Sequence, residues 1–303
     1  MTFKVTSSAV ALAAVLGVTT PFMTAASAQT VATQPQTLSY KKITIDRESF
    51  PEQPGSRISI FSYRPEENYL SDRLVVIMPG RNGRADAGHL KPVIKAYLKR
   101  GIAVVSINPG NSRFNDSEGS SRDFTLARHT DDLRRTMLWI EENKGRVGWT
   151  GQKLFLAGHS MGAYSVLRMA STLFKNRVDH VLVMNPVTTG KRQLEAHGAA
   201  PGGLQSYFKR VRYAADDYPR HDIYPTIQKL TMPVTVVTGE KDKVTLLPPV
   251  VHFYNSLPNP AGLTIIPNGH HCLSGDVYLK SLEEGADKAA NGRQPFQAYA
   301  AHP

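Results

Sequence analysis

The stretch Lys153-Leu-Phe-Leu-Ala-Gly-His-Ser-Met-Gly-Ala163 decides the fold class of this chain. Its apolar beginning leads into the pattern Gly158-x-Ser160-x-Gly162, and residues typical of helices follow at once. A strand, a sharp turn and a helix in that order would lift the Ser160 hydroxyl above the end of a sheet. The two glycines leave no side chain where the strand and helix backbones cross. We therefore predict that Ser160 is a nucleophile.

Apolar runs alternate with helical patterns on both sides of this stretch. Residues 74–78 and 102–107 are almost entirely apolar, as expected of strands buried on both faces of a parallel sheet. Further strands are predicted at 42–45, 58–63, 181–184, 234–238 and 263–266, and helices at 88–99 and 123–143. The alternation predicts an α/β fold in which helices flank a mainly parallel central sheet.

One interval, residues 184–234, has no clear buried strand. An excursion of roughly fifty residues within a compact domain is usually functional or disordered. Its aromatic residues recur among basic ones, at Tyr207, Phe208, Tyr213, Tyr218 and Tyr224. We predict a cap insertion at about residues 188–231 that supplies substrate contacts. The alternative is a helical insertion whose aromatic residues pack only on one another.

The N-terminus has the pattern of a secretory signal peptide over residues 1–28. Lys4 gives a positive region, residues 9–18 are apolar, and Ala26-Ser27-Ala28 is a small-residue cleavage site. Because a bilayer span needs about 20 apolar residues, no transmembrane anchor is expected. The chain is thus predicted to be periplasmic or secreted, with a flexible leader at 29–40 and one domain at 41–303.

Charge and cysteine content narrow the expected partners. The chain has 36 Lys and Arg against 25 Asp and Glu, a formal net charge of +11, which favours anionic surfaces or substrates. The alternative is a solvated basic surface without a specific partner. No nucleic-acid-binding module is visible. Cys272 is the only cysteine, so an intramolecular disulfide is excluded. It follows His270-His271, but three consecutive residues cannot converge on one ion, so neither a metal nor a cofactor is expected.

A serine hydroxyl becomes nucleophilic when a base takes its proton and an acid orients that base. In this fold class the acid and then the histidine follow the serine along the chain. Asp242 follows the strand predicted at 234–238, at a carboxyl end of the sheet where catalytic groups gather. Glu240 is its competitor. After the last strand, His271 is the predicted base, and the adjacent His270 is the alternative.

An oxyanion hole needs two hydrogen-bond donors that are in place before negative charge develops. The backbone amide of Met161 stands at the start of the predicted helix and is one candidate donor. The loop 79–83 follows the strand at 74–78, and its Arg81 amide is the other. His159 lies inside the Gly-x-Ser-x-Gly pattern, and its side chain is predicted to pack or to donate a hydrogen bond.

On these motifs, over roughly residues 58–285, the chain resembles the α/β-hydrolase superfamily and most closely its serine aminopeptidase and monoacylglycerol-lipase-like branch. Asn108-Pro-Gly-Asn-Ser112 and Asp131-Asp132-Leu133 resemble two further segments of that family. The resemblance implies a serine hydrolase. It places the catalytic triad and the oxyanion donors at Ser160, Asp242, His271, Arg81 and Met161.

Two residues depart from the family pattern. Pro79-Gly80 stands where His-Gly is common, and Arg81 stands where an apolar residue is common. An Arg81 side chain that faces the pocket would favour a substrate with a carboxylate or phosphate nearby. An Arg81 side chain that faces solvent would have no such effect.

The function predicted from the sequence is an exported serine hydrolase that cleaves a small carboxylic ester through an acyl-enzyme intermediate. A peptidase or amidase is the first alternative, since the same triad cleaves amides. An aminopeptidase needs clustered acids to bind a free N-terminus, and Asp216-Asp217 is the candidate pair, although its basic and aromatic neighbours indicate a solvated surface. A non-catalytic ligand-binding protein is the second alternative. The sequence does not predict the oligomeric state.

Overall fold

The computed structural model describes residues 39–45, 57–66 and 68–291. The predicted signal peptide and almost all of the predicted leader lie outside the described residues. One eight-stranded sheet forms the centre, with the strand order β1-β2-β4-β3-β5-β6-β7-β8. Only the first two strands run antiparallel to their neighbours, and all other pairs are parallel. The α/β fold with a mainly parallel central sheet, predicted from the sequence, is confirmed.

The strands match the predicted runs and several extend beyond them. Their bounds are β1 Lys41–Ile45, β2 Ile58–Tyr63, β3 Ser71–Met78, β4 Ala103–Asn108, β5 Trp149–His159, β6 Val178–Met184, β7 Val234–Gly239 and β8 Pro260–Ile266. The extra residues lie mainly at the beginnings of β3, β5, β6 and β8, where polar or exposed side chains hide the strand from an apolar pattern.

Helices cover both faces of the sheet. Their bounds are α1 Lys91–Leu98, α2 Leu126–Glu142, α3 Met161–Ser171, α4 Gly190–Gly198, α5 Gly203–Arg210, α6 Ala214–Asp217, α7 Leu247–Asn255 and α8 Asp276–Asn291. Helix α2 begins at Leu126 because the Thr125 hydroxyl accepts a hydrogen bond from the Arg128 amide (3.1 Å). In the described part of the chain, no helix combines the length and the apolar character that crossing a bilayer requires.

The core lies in two layers, one on each face of the sheet. Along β3, Leu74, Val76 and Met78 pack with α2 and α3, whereas Val75 and Ile77 pack with α1 and α8. Successive side chains of a strand point to opposite faces, so a strand that is covered on both sides must be apolar throughout. This explains why β3 could be recognised from the sequence.

The interval between β6 and β7 holds three short helices, α4 to α6, and two 3₁₀ turns, Tyr218–Arg220 and Tyr224–Lys229. We call residues 188–231 the insertion. Its two ends are joined by hydrogen bonds from the Gly190 amide to the His221 carbonyl (2.8 Å) and from the Ile223 amide to the Thr188 carbonyl (3.2 Å). Its two buried tyrosines, Tyr207 and Tyr218, belong to the same core layer as α2 and α3. The insertion is therefore packed on the main domain.

Helix α3 crosses the end of β3 at very short range, which generates a test of the fold. A methyl group added at Gly162 would overlap the carbonyl oxygens of Met78 and Pro79, both of which are backbone atoms. We expect Gly162→Ala to lower the free energy of unfolding by about 2–3 kcal/mol through overpacking. Gly198→Ala in α4 is the matched control, because nothing lies within 4 Å of its added methyl group. Urea unfolding midpoints would compare the two, and equal midpoints would contradict the close crossing.

Candidate active site

Ser160 occupies a sharp turn between β5 and α3. Its backbone has φ 57° and ψ −119°, a region that residues with a side chain rarely adopt and that costs about 1–3 kcal/mol. Three hydrogen bonds hold it there: the Ser160 amide donates to the Met184 carbonyl (2.9 Å), and the Ser160 carbonyl accepts from the amides of Ala163 and Val187 (3.1 Å each). The β6 end and the start of α3 thus impose the turn.

The glycines around Ser160 are required by space. A Cβ atom added at Gly158 would lie 2.7 Å from the Ala163 backbone, and one added at Gly80 would lie 2.9 Å from the Ser160 Cβ. The loop after β3 therefore passes directly beside the serine. This agrees with the sequence-based explanation of the Gly-x-Ser-x-Gly pattern.

The structure brings Ser160, His271 and Asp242 together in one hydrogen-bonded series. The Ser160 Oγ lies 2.9 Å from the His271 Nε2, and the His271 Nδ1 lies 2.8 Å from the Asp242 Oδ2. An ionised carboxylate can only accept, so the His271 Nδ1 carries the proton and Nε2 accepts from the serine hydroxyl. His271 retains 22% exposure of its side chain, so a bound molecule can reach it.

Asp242 is buried, yet its surroundings keep it ionised. Burial alone would raise its pKa, but the hydrogen bond and charge of His271, together with donors from Thr245 and Val244, lower the pKa below its usual value. The distances are 2.6 Å from the Thr245 hydroxyl, 3.0 Å from the Thr245 amide and 2.7 Å from the Val244 amide. A carboxylate held in this way can orient a histidine and stabilise its charged form.

The side chains of the two alternatives, Glu240 and His270, are not part of this hydrogen-bonded series. Glu240 is exposed and accepts a hydrogen bond from the Asn268 amide (2.9 Å). His270 is exposed, and only its carbonyl oxygen takes part in the site, accepting a 3.2 Å hydrogen bond from Asn185. Of the two adjacent histidines, His271 is the one whose ring reaches Ser160.

Asn185, which the sequence analysis missed, connects the strand ends to the histidine loop. Its side-chain nitrogen donates to the carbonyl oxygen of His271 (2.6 Å), and its side-chain oxygen accepts from the Thr238 hydroxyl (3.0 Å) and the Gly239 amide (2.8 Å). It adopts φ 44°, a left-handed conformation that asparagine tolerates well. A polar residue directly after a buried strand, at the carboxyl edge of the sheet, was the signal that could have identified it.

His159 fixes the same carbonyl from the other side. Its Nε2 lies 2.8 Å from the His271 carbonyl oxygen, so that ring nitrogen donates. Burial, followed by the charges of His89 and His271, holds the pKa of His159 well below its usual value, and the ring is neutral. The predicted packing and hydrogen-bonding role of His159 agrees with these contacts.

His89, His159 and Cys272 form a cluster of metal-binding residue types that the sequence analysis did not anticipate. Their ligand atoms lie within 4.8 Å of one another, whereas the bond lengths of a tetrahedral zinc site place ligand atoms roughly 3.3–3.7 Å apart. One nitrogen of His159 already donates to His271. The cluster is looser than a preformed zinc site.

The two candidate oxyanion donors flank Ser160. Met161 is the first residue of α3, so its amide belongs to the helix N-terminus, where amides have no partner within the helix. Arg81 follows Gly80 in the loop beside the serine. The Arg81 side chain is half-buried, and its guanidinium carbon lies 5.4 Å from the centre of the Tyr207 ring. The sequence left open whether this side chain faces the pocket or solvent, and the structure places it over the Tyr207 ring of the insertion.

The interpretation of Asp216-Asp217 as a solvated pair is wrong for one member. Asp216 is exposed, but Asp217 accepts hydrogen bonds from the Leu126 amide (2.6 Å) and from the His221 Nε2 (3.0 Å). Leu126 opens α2, so Asp217 caps that helix from the insertion. The helix N-terminus attracts a carboxylate, which the sequence could not reveal because the two residues are distant along the chain.

Comparisons with known proteins add the fold family. No family model matches the sequence, and no curated protein matches it either. Solved structures do match: Est1E from Butyrivibrio proteoclasticus with bound ferulic acid is 19% identical, with a TM-score of 0.62 over 80% of this chain and 96% of its own. The chain has the α/β-hydrolase fold.

Two other solved structures are similar to a comparable degree. The Pyrococcus furiosus esterase Pf2001 is 19% identical, with a TM-score of 0.63 over 84% of this chain and 90% of its own. The α/β hydrolase GrgF from Penicillium sp. sh18 is 18% identical, with a TM-score of 0.61 over 82% of this chain and its full length. Identities this low establish the shared fold alone. The narrower resemblance to the serine aminopeptidase and monoacylglycerol-lipase-like branch stays a prediction.

Asn185 allows a test of how the histidine loop is held. We expect Asn185→Asp to slow the reaction of Ser160 with a fluorophosphonate about tenfold to a hundredfold, because carboxylate oxygens repel the carbonyl of His271 and displace its ring. Aspartate keeps the size of the side chain and tolerates the positive φ. Asn268→Asp, at an exposed position that also has a positive φ (55°), is the matched control. An unchanged labelling rate in a folded Asn185→Asp protein would contradict the positioning role.

Proposed function

We propose that the protein is an exported serine hydrolase that cleaves a carboxylic ester through an acyl-enzyme intermediate. The observation that carries the proposal is the continuous series from the Ser160 hydroxyl through His271 to Asp242, with both hydrogen bonds shorter than 3 Å. This geometry supplies a nucleophile, a base and an orienting acid in one place.

In the first step the Ser160 Oγ attacks the ester carbonyl carbon while the His271 Nε2 takes the hydroxyl proton. The resulting imidazolium is stabilised by the ionised Asp242, to which the His271 Nδ1 donates. His271 then gives the proton to the alkoxide that leaves, and Ser160 keeps the acyl group. The carbonyl of His271 is fixed by Asn185 and His159, so the ring can turn little during the transfer.

Two backbone amides stabilise the oxyanion of each tetrahedral intermediate. The Met161 amide adds the positive end of the α3 dipole, and the Arg81 amide approaches from the loop after β3. In the second step water attacks the acyl group, and His271 acts as the base again. The acid leaves, and the Ser160 hydroxyl is restored.

The peptidase alternative is disfavoured by what Asp217 contacts. Recognition of a free N-terminus needs clustered, accessible acids. Asp216 is exposed, but Asp217 is occupied by the N-terminus of α2 and by His221, so the two do not act as an accessible pair. Support for ester hydrolysis also comes from the similar structures: Pf2001 is an esterase by name, and Est1E has ferulic acid bound. A non-catalytic binding protein would have no need for the Ser160–His271 hydrogen bond.

The proposed export rests on the sequence of residues 1–28 alone. Mass spectrometry of the protein recovered from the cell envelope or the medium is the appropriate measurement, and a mature N-terminus near Gln29 is the expected result.

The nucleophile can be tested directly. Ser160→Ala should leave the fold intact and lower kcat for p-nitrophenyl acetate by about 10⁴-fold or more, because no other group can form the acyl-enzyme. Labelling by a fluorophosphonate should disappear with it. Ser165→Ala, at a buried serine on the adjacent helix α3, is the matched control and should keep both turnover and labelling. Undiminished turnover by Ser160→Ala would refute the mechanism.

The base can be tested by the adjacent histidines. His271→Ala should reduce kcat by at least about 10³-fold, since the serine then has no proton acceptor. His270→Ala, whose ring is exposed, should stay within about threefold of the unaltered protein. Circular dichroism of both variants serves as the folding control. A larger loss for His270→Ala than for His271→Ala would reverse the assignment.

A further inference from the structure

The structure gives the Arg81 side chain a defined place in the loop after β3. Arg81 follows Gly80, whose backbone lies against Ser160. Its guanidinium carbon lies 5.4 Å from the centre of the Tyr207 ring, on α5 of the insertion. An extended arginine side chain spans roughly 6–7 Å. The cation therefore lies no farther than roughly that distance from the proposed oxyanion amide of the same residue.

The Tyr207 ring beneath Arg81 belongs to a series of side chains in contact, which we call the wall. It consists of His197, Tyr207 and Tyr218 and reaches Met161, the residue after Ser160. His197 stacks on Tyr207 with ring centres 3.7 Å apart and an interplanar angle of 18°. The Tyr207 hydroxyl is hydrogen-bonded to the Tyr218 hydroxyl (2.7 Å), which donates to the Met161 sulfur (3.6 Å). Both tyrosines are buried, so the wall is held rigidly beside the site.

Arg81 brings a positive charge to this wall. Burial lowers the pKa of His197 to about 4, and the charge of Arg81 adds to this effect. Within residues 39–45, 57–66 and 68–291, no carboxylate lies at ion-pair distance from Arg81 or Arg210. The positive charge beside the nucleophile is thus not compensated by described residues.

His197 adds a neutral donor to the Arg81 cation. The side-chain nitrogen of Gln193 lies 3.1 Å from the His197 Nε2, and an amide nitrogen can only donate. The His197 Nε2 therefore accepts, and the ring proton is on Nδ1. A guanidinium group and a ring N–H are donors that suit a carboxylate.

We propose that Arg81 and His197 form an anion subsite beside Ser160 and that the substrate is an ester carrying a carboxylate. The inference rests on the proposed ester hydrolysis. Arginine can bind both oxygens of a carboxylate at once, and its stacking on Tyr207 holds the guanidinium in place before the substrate arrives. The formal net charge of +11 adds a general attraction for anions.

Two substrate pairs test the charge preference, because the carboxylate can lie on either side of the ester bond. Monoethyl glutarate is compared with ethyl pentanoate for the acyl side. 4-Acetoxybutanoate is compared with butyl acetate for the alcohol side. In each pair a carboxylate replaces a terminal methyl group, and a pH-stat follows acid release. For at least one pair we expect kcat/KM of the anionic ester to exceed that of the neutral ester by about tenfold or more, and to fall with added salt.

The decisive variant is Arg81→Met, which keeps an unbranched apolar side chain and removes the charge. We expect it to lower the anionic-to-neutral ratio of kcat/KM by about tenfold or more. Any disturbance of the Arg81 amide affects both esters of a pair equally, so it cancels in the ratio. Arg84→Met is the matched control: Arg84 is exposed in the same loop and paired with Asp86, and its ratio should stay unchanged.

Three results are distinguishable. Ratios of one or less in both pairs would overturn the anion subsite while leaving ester hydrolysis intact. Equal losses on both esters of a pair in Arg81→Met would show that Arg81 only packs the insertion, and would overturn it as well. If none of the four esters is turned over and no fluorophosphonate label is incorporated, the proposed function fails and the subsite fails with it.

Discussion

The strained backbone of Ser160 is the constraint on which the rest of the site depends. The turn exists only because β5 and α3 approach closely enough to exclude side chains at Gly158 and Gly162. The carbonyl and amide hydrogen bonds to β6 and to the start of α3 then hold Ser160 in a conformation that an isolated chain would avoid. The position of the hydroxyl is a property of the whole sheet, because each contact comes from a different element.

Asn185 holds the loop of His271 in position. Its side chain lies between the ends of β6 and β7 and reaches the carbonyl of His271, while His159 holds that carbonyl from β5. The loop after β8 has no regular structure of its own at this point. The hydrogen bonds from Asn185 and His159 therefore hold this loop in place, as regular secondary structure would otherwise do.

Much of the fold could be predicted because burial on both faces makes a strand apolar throughout, as in β3 and β4. The antiparallel position of β2 and the beginnings of the strands were not predictable in this way, since exposed residues carry no apolar pattern. In the site, Ser160 was predicted from a local motif, and Asp242 and His271 were predicted from their positions after the ends of strands. Only the direction in which each ring points distinguishes His271 from His270 as the base, and the sequence does not give that direction. Asn185 and Asp217 act through contacts that are distant in sequence, which a pattern cannot show.

The attachments of the insertion determine how a molecule can reach the serine. Asp217 caps α2, Tyr218 touches Met161 on α3, and the Tyr164 hydroxyl of α3 lies 3.3 Å from the His221 Nδ1. A segment fastened to two core helices at three points cannot swing away as a hinged cover does. We expect the insertion to keep one shape through the catalytic cycle. Substrates would then be selected by whether they fit the open site as they enter it, without a closing movement after they bind.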